Sequence, residues 1–366
     1  MRPEDGRKAC HEFHELHEFL IHRRCFRVIR GEPFPSLILA PRDRGNTSHM
    51  RELLKRFLPY ASLAALFVFL SLASPYFLTV NNLSSVIRQT TVITIMAIGM
   101  TVVIASGGID LSVGSMVGLT GVCGAMLIAG QFSTSLALIG AILVGVLCGL
   151  VNGASVTALK IPPFIATLGT LGIYRGLTLI ITDGIPVANL TRDFGVLATG
   201  NILGIVPVPL LFLVLVAGMI HFILKYTRLG RYSYAIGSNP EAARCSGIPI
   251  GKYRMVIYSL GGALTGLAGM IEAARLVTGQ PTAGDGYELR VIAAVVIGGG
   301  SLNGGQGTVL GTVVGSFIMG LLSNGCNLLG VSPFVQQVII GSVIVLAVTF
   351  DEFQRRRMAA LATIDD

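Results

Sequence analysis

The sequence predicts an all-α integral membrane protein: a polytopic bundle of about ten transmembrane helices, with broken or short helices near its centre. Three observations carry that reading. Apolar residues make up 52% of the 366 and charged residues 13%, where a soluble domain carries about 25% charged residues. Mean hydropathy is +0.73, and from Met50 onward one long apolar stretch follows another. Lysine and arginine, thirdly, gather on one side when those stretches are threaded alternately through a bilayer. A protein with this surface would not stay dissolved. The net charge of +8 fits basic cytoplasmic loops facing a lipid bilayer and requires no nucleic acid.

Residues 1–49 stand apart. They hold 9 of the 27 Lys and Arg, 7 of the 19 Asp and Glu, and five of the six histidines. The tract Cys10-His11-Glu12-Phe13-His14-Glu15-Leu16-His17-Glu18-Phe19 is compositionally His-rich, yet nothing indicates a metal site. The segment lacks the charged, apolar, small-residue order of a signal peptide. Met50 then opens Arg51-Glu52-Leu53-Leu54-Lys55-Arg56, a basic flank directly before an apolar run. The expectation is that 1–49 is a disordered or non-native extension and Met50 the physiological start. The membrane domain is expected over 50–354, followed by a short tail, 355–366. The six cysteines (Cys10, Cys25, Cys123, Cys148, Cys245, Cys326) are scattered and form no disulfide or metal pattern.

A hydrocarbon core about 30 Å thick needs about 20 apolar residues per helix. That ruler picks out 57–78, 134–158, 162–181, 205–225, 255–275, 307–324 and 334–350. Residues 92–129 are too long for one crossing and break at Gly107-Gly108-Ile109-Asp110, so they read as two. Residues 289–299 are apolar but short. Orientation decides their status. With the 50–56 end in the cytoplasm and ten crossings, 13 Lys and Arg fall inside and only Arg88, Arg192, Arg275 and Arg290 outside. Treating 289–299 as re-entrant would move Arg355, Arg356 and Arg357 outside, against the positive-inside rule. Ten crossings with both termini cytoplasmic is the expectation. Glycines recur within spans, where small residues let helices approach closely in lipid.

Three places break the apolar background. In Gly107-Gly108-Ile109-Asp110-Leu111-Ser112-Val113-Gly114-Ser115, a carboxylate lies between membrane segments, where charge is costly and usually has a role. Ser112 and Gly114 are expected to let the backbone turn, and Asp110 to cap the following helix. Substrate contact and ion coupling are the other roles open to it. The second place is the basic loop 226–254, with Arg228, Gly230 and Arg231 at its start. Within it, Asn239-Pro240-Glu241-Ala242-Ala243-Arg244 has an N-cap, proline at the first helical position and an acid at the positive end of the dipole. Ser246-Gly247 stops that helix after about seven residues. A capped helix outside the membrane suits a rigid knob for a cytoplasmic partner, with Ala242 and Ala243 offering low relief to a groove. The third place is Gly298-Gly299-Gly300-Ser301-Leu302-Asn303-Gly304-Gly305-Gln306-Gly307. It lacks the Lys-Ser or Lys-Thr that ends a phosphate-binding loop, and Gly251-Lys252 is followed by Tyr253. The chain binds no ATP by that route. Asp110, Ser112, Gly114, Asn152 and Asn303 are the candidates for the helix break or the translocation path.

Several segments in one register carry a resemblance: Gly108–Ser115, Thr227-Arg228-Leu229-Gly230-Arg231, Asn239–Arg244 with Ser246-Gly247-Ile248, Gln280-Pro281-Thr282-Ala283-Gly284 with Gly286-Tyr287-Glu288-Leu289, and Ala293–Gly299. Together they closely resemble the ribose-type monosaccharide permeases of bacterial ATP-binding-cassette importers, from about Met50 to Phe350. The resemblance implies a multi-pass protein of the bacterial inner membrane, working as a homodimer or pseudo-dimer. It implies ATP-binding subunits on the cytoplasmic face, with ATP bound there and not on this chain, and a periplasmic sugar-binding protein. Asn239–Gly247 would match the family's coupling loop; residues 1–49 have no counterpart. The alternative is an ion-coupled secondary sugar transporter, which needs ionisable groups inside the spans. Only Arg175 and Glu272 qualify, and both lie near helix ends or interfaces.

The charge distribution yields a direct test of topology. Cysteines introduced as Gly195→Cys and Ser238→Cys are expected to react with a membrane-impermeant thiol reagent from opposite sides. Labelling of both from one side would overturn the ten-crossing arrangement.

Overall fold

The computed structural model describes residues 45–362, apart from 189, 203 and 205. The extension expected over 1–49 therefore lies almost wholly outside the described residues. Contacts divide the chain after Lys55, and the second unit, from Arg56 onward, carries the membrane helices. They are α1 (Gly45–Ala73, entering the unit at Arg56), α2 (Val80–Ala105), α3 (Val113–Ala129), α4 (Thr134–Thr157) and α5 (Pro163–Thr182). The short α6 (Arg192–Thr199) and a two-stranded antiparallel hairpin, β1 (Asn201–Ile202) and β2 (Val206–Pro207), precede α7 (Val208–Tyr226). Then come α8 (Arg228–Ser238), α9 (Pro240–Cys245), α10 (Ile250–Leu276), α11 (Tyr287–Ile297), α12 (Val309–Leu328) and α13 (Pro333–Ala362).

Among the described residues, six helices are long and apolar enough to cross a membrane: α2, α4, α5, α7, α10 and α12. Shorter apolar helical stretches are Phe57–Ala73, Val113–Ala129 and Pro333–Thr349. The expected break is present, with α2 ending at Ala105 and α3 starting at Val113. Several boundaries differ from expectation: the last helix, expected over 334–350, runs from Pro333 to Ala362, and two others have a clear local cause. The first span stops at Ala73, because the residue before Pro75 is driven out of helical geometry. Helix α2 starts twelve residues before the apolar run at Val92, capped by Thr79, whose hydroxyl accepts the Asn82 N–H at 3.3 Å.

Helix α10 is the hub. It packs against α4, α3 and α2, and at each contact glycine removes the side chain that would hold the backbones apart. Along α4, Gly145 faces Gly262, Gly149 faces Tyr258 and Gly153 faces Met255. A Cβ on Gly145 or Gly262 would strike the other's carbonyl oxygen. Gly121 of α3 meets Gly269, and Gly99 of α2 meets Gly261. The most apolar windows of α2 and α10 are 78% and 72% buried, whereas those of α4, α5 and α7 are 28% buried. Helices α2 and α10 thus form the interior, and α4, α5 and α7 present apolar flanks outward.

The segment between α10 and α11 does not run over the surface. Gly279 exchanges backbone hydrogen bonds with Val187 (2.9 and 3.0 Å), and the chain then descends along α3. The carbonyls of Pro281 and Ala283 lie near Gly118, and that of Gly284 near Gly114. Gly284 and Gly286 take positive φ, 76° and 73°, which glycine adopts without steric cost. Helix α11 therefore starts inside the bundle, and its 11 residues rise only about 16 Å. A short helix in series with irregular backbone is tolerated at membrane depth where protein surrounds it.

Close backbone approach makes a specific demand. Gly262→Ala is expected to destabilise the solubilised protein by about 1–3 kcal/mol, as overpacking does. Gly172→Ala, with no atom within 4 Å of the added carbon, should change little. Thermal unfolding in detergent checks both.

Candidate functional site

The polar break is a closed knot. Asp110 is 1% exposed, and Ser112 and Asn152 are fully buried. Asp110 Oδ1 accepts from the Ser112 N–H (2.9 Å) and the Ser112 hydroxyl (2.6 Å), and Oδ2 accepts from Asn152 Nδ2 at 3.1 Å. The same amide reaches Ser112 Oγ at 2.8 Å. Asn152 Oδ1 accepts from Tyr174 Oη at 3.1 Å, which locks its orientation. The Ile109 carbonyl accepts from Thr167 Oγ1 and Tyr258 Oη, at 3.2 and 3.3 Å. Helices α4, α5 and α10 thus all tie down the segment between α2 and α3.

Two expectations about this segment need correcting. Asp110 does not cap α3: the N-cap position is Ser112, with no side-chain cap bond. Asp110 instead accepts a backbone N–H two residues on, closing a local turn ahead of the helix. The sharp turn is made by Gly107, at φ 75°, while Gly114 lies within α3 and gives room for Gly284 and Glu288. Asn152, from α4, does join the break.

At the end of the bundle that carries α8 and α9, the knob is built much as its sequence implies. Asn239 Oδ1 accepts the Ala242 N–H at 3.0 Å, and Pro240 opens α9. Gly247 (φ 80°) closes it, with Gly247 N–H bonded to Arg244 O and Ile248 N–H to Ala243 O, at 3.0 and 3.1 Å. That pair is a Schellman cap. Glu241 and Arg244 pair at 3.1 Å on the exposed face. Ala242 is exposed, but Ala243 is 4% exposed and turned inward. Low relief for a partner therefore comes from Ala242, not from Ala243. The approach to α9 is itself helical: α8 buries Gly230, Ser233, Ile236 and Gly237 and exposes Arg228 and Arg231. Small residues at helical spacing were the signal for it.

Glycine brings these parts together. The Cα of Gly237, at the end of α8, lies so close to the Ala105 carbonyl and the Gly305 N–H that a Cβ would strike both. Gly305 N–H bonds to Ala105 O at 3.0 Å, and Tyr234 Oη donates to Gly307 O at 2.7 Å. Gly304, at φ 89°, packs on Gly107 and the Gly237 carbonyl. So the knob, the end of α2 and the glycine-rich turn meet at one backbone junction. Asn303 is exposed on that turn, away from the interior.

Two further polar sites are interior. Arg175 Nη1 donates to the carbonyls of Pro281 and Ala283 (3.0 Å for the latter), holding the descending segment in place. Glu272 is 3% exposed and accepts from Arg275 Nη2 at 2.7 Å and Tyr287 Oη at 3.0 Å. As isolated charges in apolar sequence both were visible; their partners were not.

The model of the family described as branched-chain amino acid transport system / permease component matches residues 82–348. The chain is similar to the ribose import permease protein RbsC of Escherichia coli (strain K12), 46% identical over 294 residues, which covers 79% of this chain and 91% of that protein. It is 39% identical over 285 residues to the D-allose transport system permease protein AlsC of the same organism, covering 78% and 87%. Against the L-arabinose ABC transporter permease protein AraH of Azospirillum brasilense, identity is 36% over 333 residues, covering 91% and 97%. No solved structure matches the chain.

The knot separates two roles for its carboxylate. Asp110→Leu strands the Asn152 amide and the Ser112 donors, each buried unmet group costing about 1–3 kcal/mol, so folded abundance should fall. Asp110→Asn keeps an acceptor for Ser112 and should be milder. Normal membrane abundance with complete transport loss in both variants would assign the function to the charge itself.

Proposed function

The chain belongs to the branched-chain amino acid transport system / permease component family, and we propose that it is the membrane-spanning permease of an ATP-driven importer of monosaccharides, ribose or a similar sugar. The relatives named for ribose, D-allose and L-arabinose support the cargo class. The observation that carries the mechanism is the junction of Gly237, Ala105 and Gly305. A partner engaging α9 moves α8, and the end of α8 is seated directly on the end of α2 and on the turn between α11 and α12. Because those glycines leave backbone against backbone, the displacement has no flexible side chain to be absorbed in. Knob motion is thereby passed to α2 and to the turn that joins α11 and α12.

In this reading the α8–α9 end is cytoplasmic and meets ATP-binding subunits, which hold and hydrolyse the ATP. The opposite end, with α6 and the hairpin, meets a periplasmic sugar-binding protein. A second permease copy completes the assembly in the bacterial inner membrane. The chain crosses ten times: α1, α2, α3, α4, α5, α7, α10, the descending segment with α11, α12 and α13. An ion-coupled transporter is disfavoured because Glu272, the buried acid of α10, is held by Arg275 and Tyr287 and not by a site open to exchange.

Ala242→Trp and Glu241→Lys are expected to spare insertion and binding-protein docking while abolishing ATPase assembly or uncoupling hydrolysis from uptake. Ala243→Trp should instead lower the amount of folded protein, since that side chain is inward. Unchanged ATPase stimulation and uptake in both Ala242→Trp and Glu241→Lys would overturn the assignment.

A further inference from the structure

A cavity of about 210 Å³ opens between α2, α11 and α12, near the end of α10. Its lining includes Gln89, Arg275, Tyr287, Arg290, Ser316 and Ser323. This is a dense set of hydrogen-bonding side chains for a surface among membrane helices. Asn82 and Asn324 bond to each other at 2.8 Å, so the start of α2 and the end of α12 share one end of the bundle, opposite the knob. At 1.5 Å per residue, Ser323 and Ser316 lie about 8 and 18 Å from the end of α12 at Leu328. The cavity thus reaches from that end to about the middle of a bilayer.

Arg290 and Gln89 give this lining donors for a neutral, hydroxyl-rich ligand, while Arg275 and Tyr287 are committed to Glu272. Glu272 orients Arg275 and Tyr287 from behind (2.7 and 3.0 Å) and is itself buried, so the acid presents no charge to the cavity. Arg290 stands over the Tyr287 ring at 5.8 Å and has no carboxylate partner among the described residues. Its guanidinium donors, left without an anion, suit sugar hydroxyl oxygens; Gln89 and Ser323 can donate and accept, and Ser316, whose hydroxyl donates to the Thr312 carbonyl at 2.9 Å, can accept. Such groups would be costly against lipid tails, which makes a water-filled route the compatible surrounding. Next to them the Thr90 hydroxyl, 2% exposed, packs against Gly320 without a hydrogen-bond partner.

We propose that this cavity is a transit site for the monosaccharide, entered from the binding-protein side, with Arg290 as its principal donor. The proposal rests on the importer reading above. The site is shallow in affinity by design: a passing solute must be held well enough to enter and weakly enough to leave.

The test uses the assembled permease, ATPase and binding protein in proteoliposomes, with radiolabelled D-ribose, D-allose and L-arabinose as probes. Whichever sugar the parent complex takes up, Arg290→Ala and Ser316→Leu should lower its uptake at least tenfold. Sugar-loaded binding protein should still stimulate ATP hydrolysis in both. Arg290→Lys, retaining a donor, should fall between. If either variant fails to assemble, Gln89→Cys, at an exposed position, decides: a bulky impermeant thiol reagent applied from outside after assembly should block uptake while sparing the parent protein. Uptake within twofold of the parent in Arg290→Ala and in labelled Gln89→Cys would overturn the proposal. Loss of ATPase stimulation by the parent complex itself would instead overturn the importer reading.

Discussion

Everything in this bundle depends on α10 touching three helices almost backbone to backbone. In lipid no hydrophobic force draws helices together, since tails are as apolar as leucine; close packing and interhelical hydrogen bonds must do it. The Gly145–Gly262, Gly121–Gly269 and Gly99–Gly261 contacts supply that packing on three sides of one helix. They also fix depth and rotation. Once α4 is seated on α10 through Gly149 and Gly153, Asn152 is presented to the segment after α2, and Tyr258 comes within reach of Ile109. The polar knot is a consequence of the glycine seams.

Each interior charge is used to hold irregular backbone or a neighbouring side chain. Asp110 gathers Ser112 and Asn152 at the break, and Arg175 clamps two carbonyls of the segment that descends beside α3. Glu272 fixes Arg275 and the first residue of α11. Backbone outside a helix has N–H and C=O groups that lipid cannot satisfy, and Asp110 and Arg175 supply missing partners. Short helices at mid-depth become possible only with such clamps. That is why the clamps gather on the segments that lead into α3 and α11.

Motion at the knob end has a physical route for the same reason. Gly237, Gly304 and Gly107 meet where α8, the glycine-rich turn and the end of α2 converge. Three residues without side chains leave no slack there. Tyr234, bonded to the Gly307 carbonyl, adds a second tie between α8 and the turn. A stiff contact between a surface helix and two interior elements is what a device for transmitting displacement requires.

Local signals were the legible ones. Long apolar runs marked the spans, because bilayer thickness sets a length that any span must meet. The break at Gly107–Asp110 and the Asn239–Pro240–Glu241 helix could be read directly because caps, prolines and glycines act on their own few residues. Whatever depends on which face of a helix meets which neighbour was settled by the folded bundle alone. The inward turn of Ala243, the service of Arg175 to carbonyls more than a hundred residues away, and the gathering of Gln89, Arg290 and Ser316 around one cavity carry no periodic or spacing signal. Nearly every residue of a membrane helix is apolar whether it faces lipid or protein, so hydropathy loses the inside–outside contrast that marks the core of a soluble protein. Only packing at the glycine seams restores it.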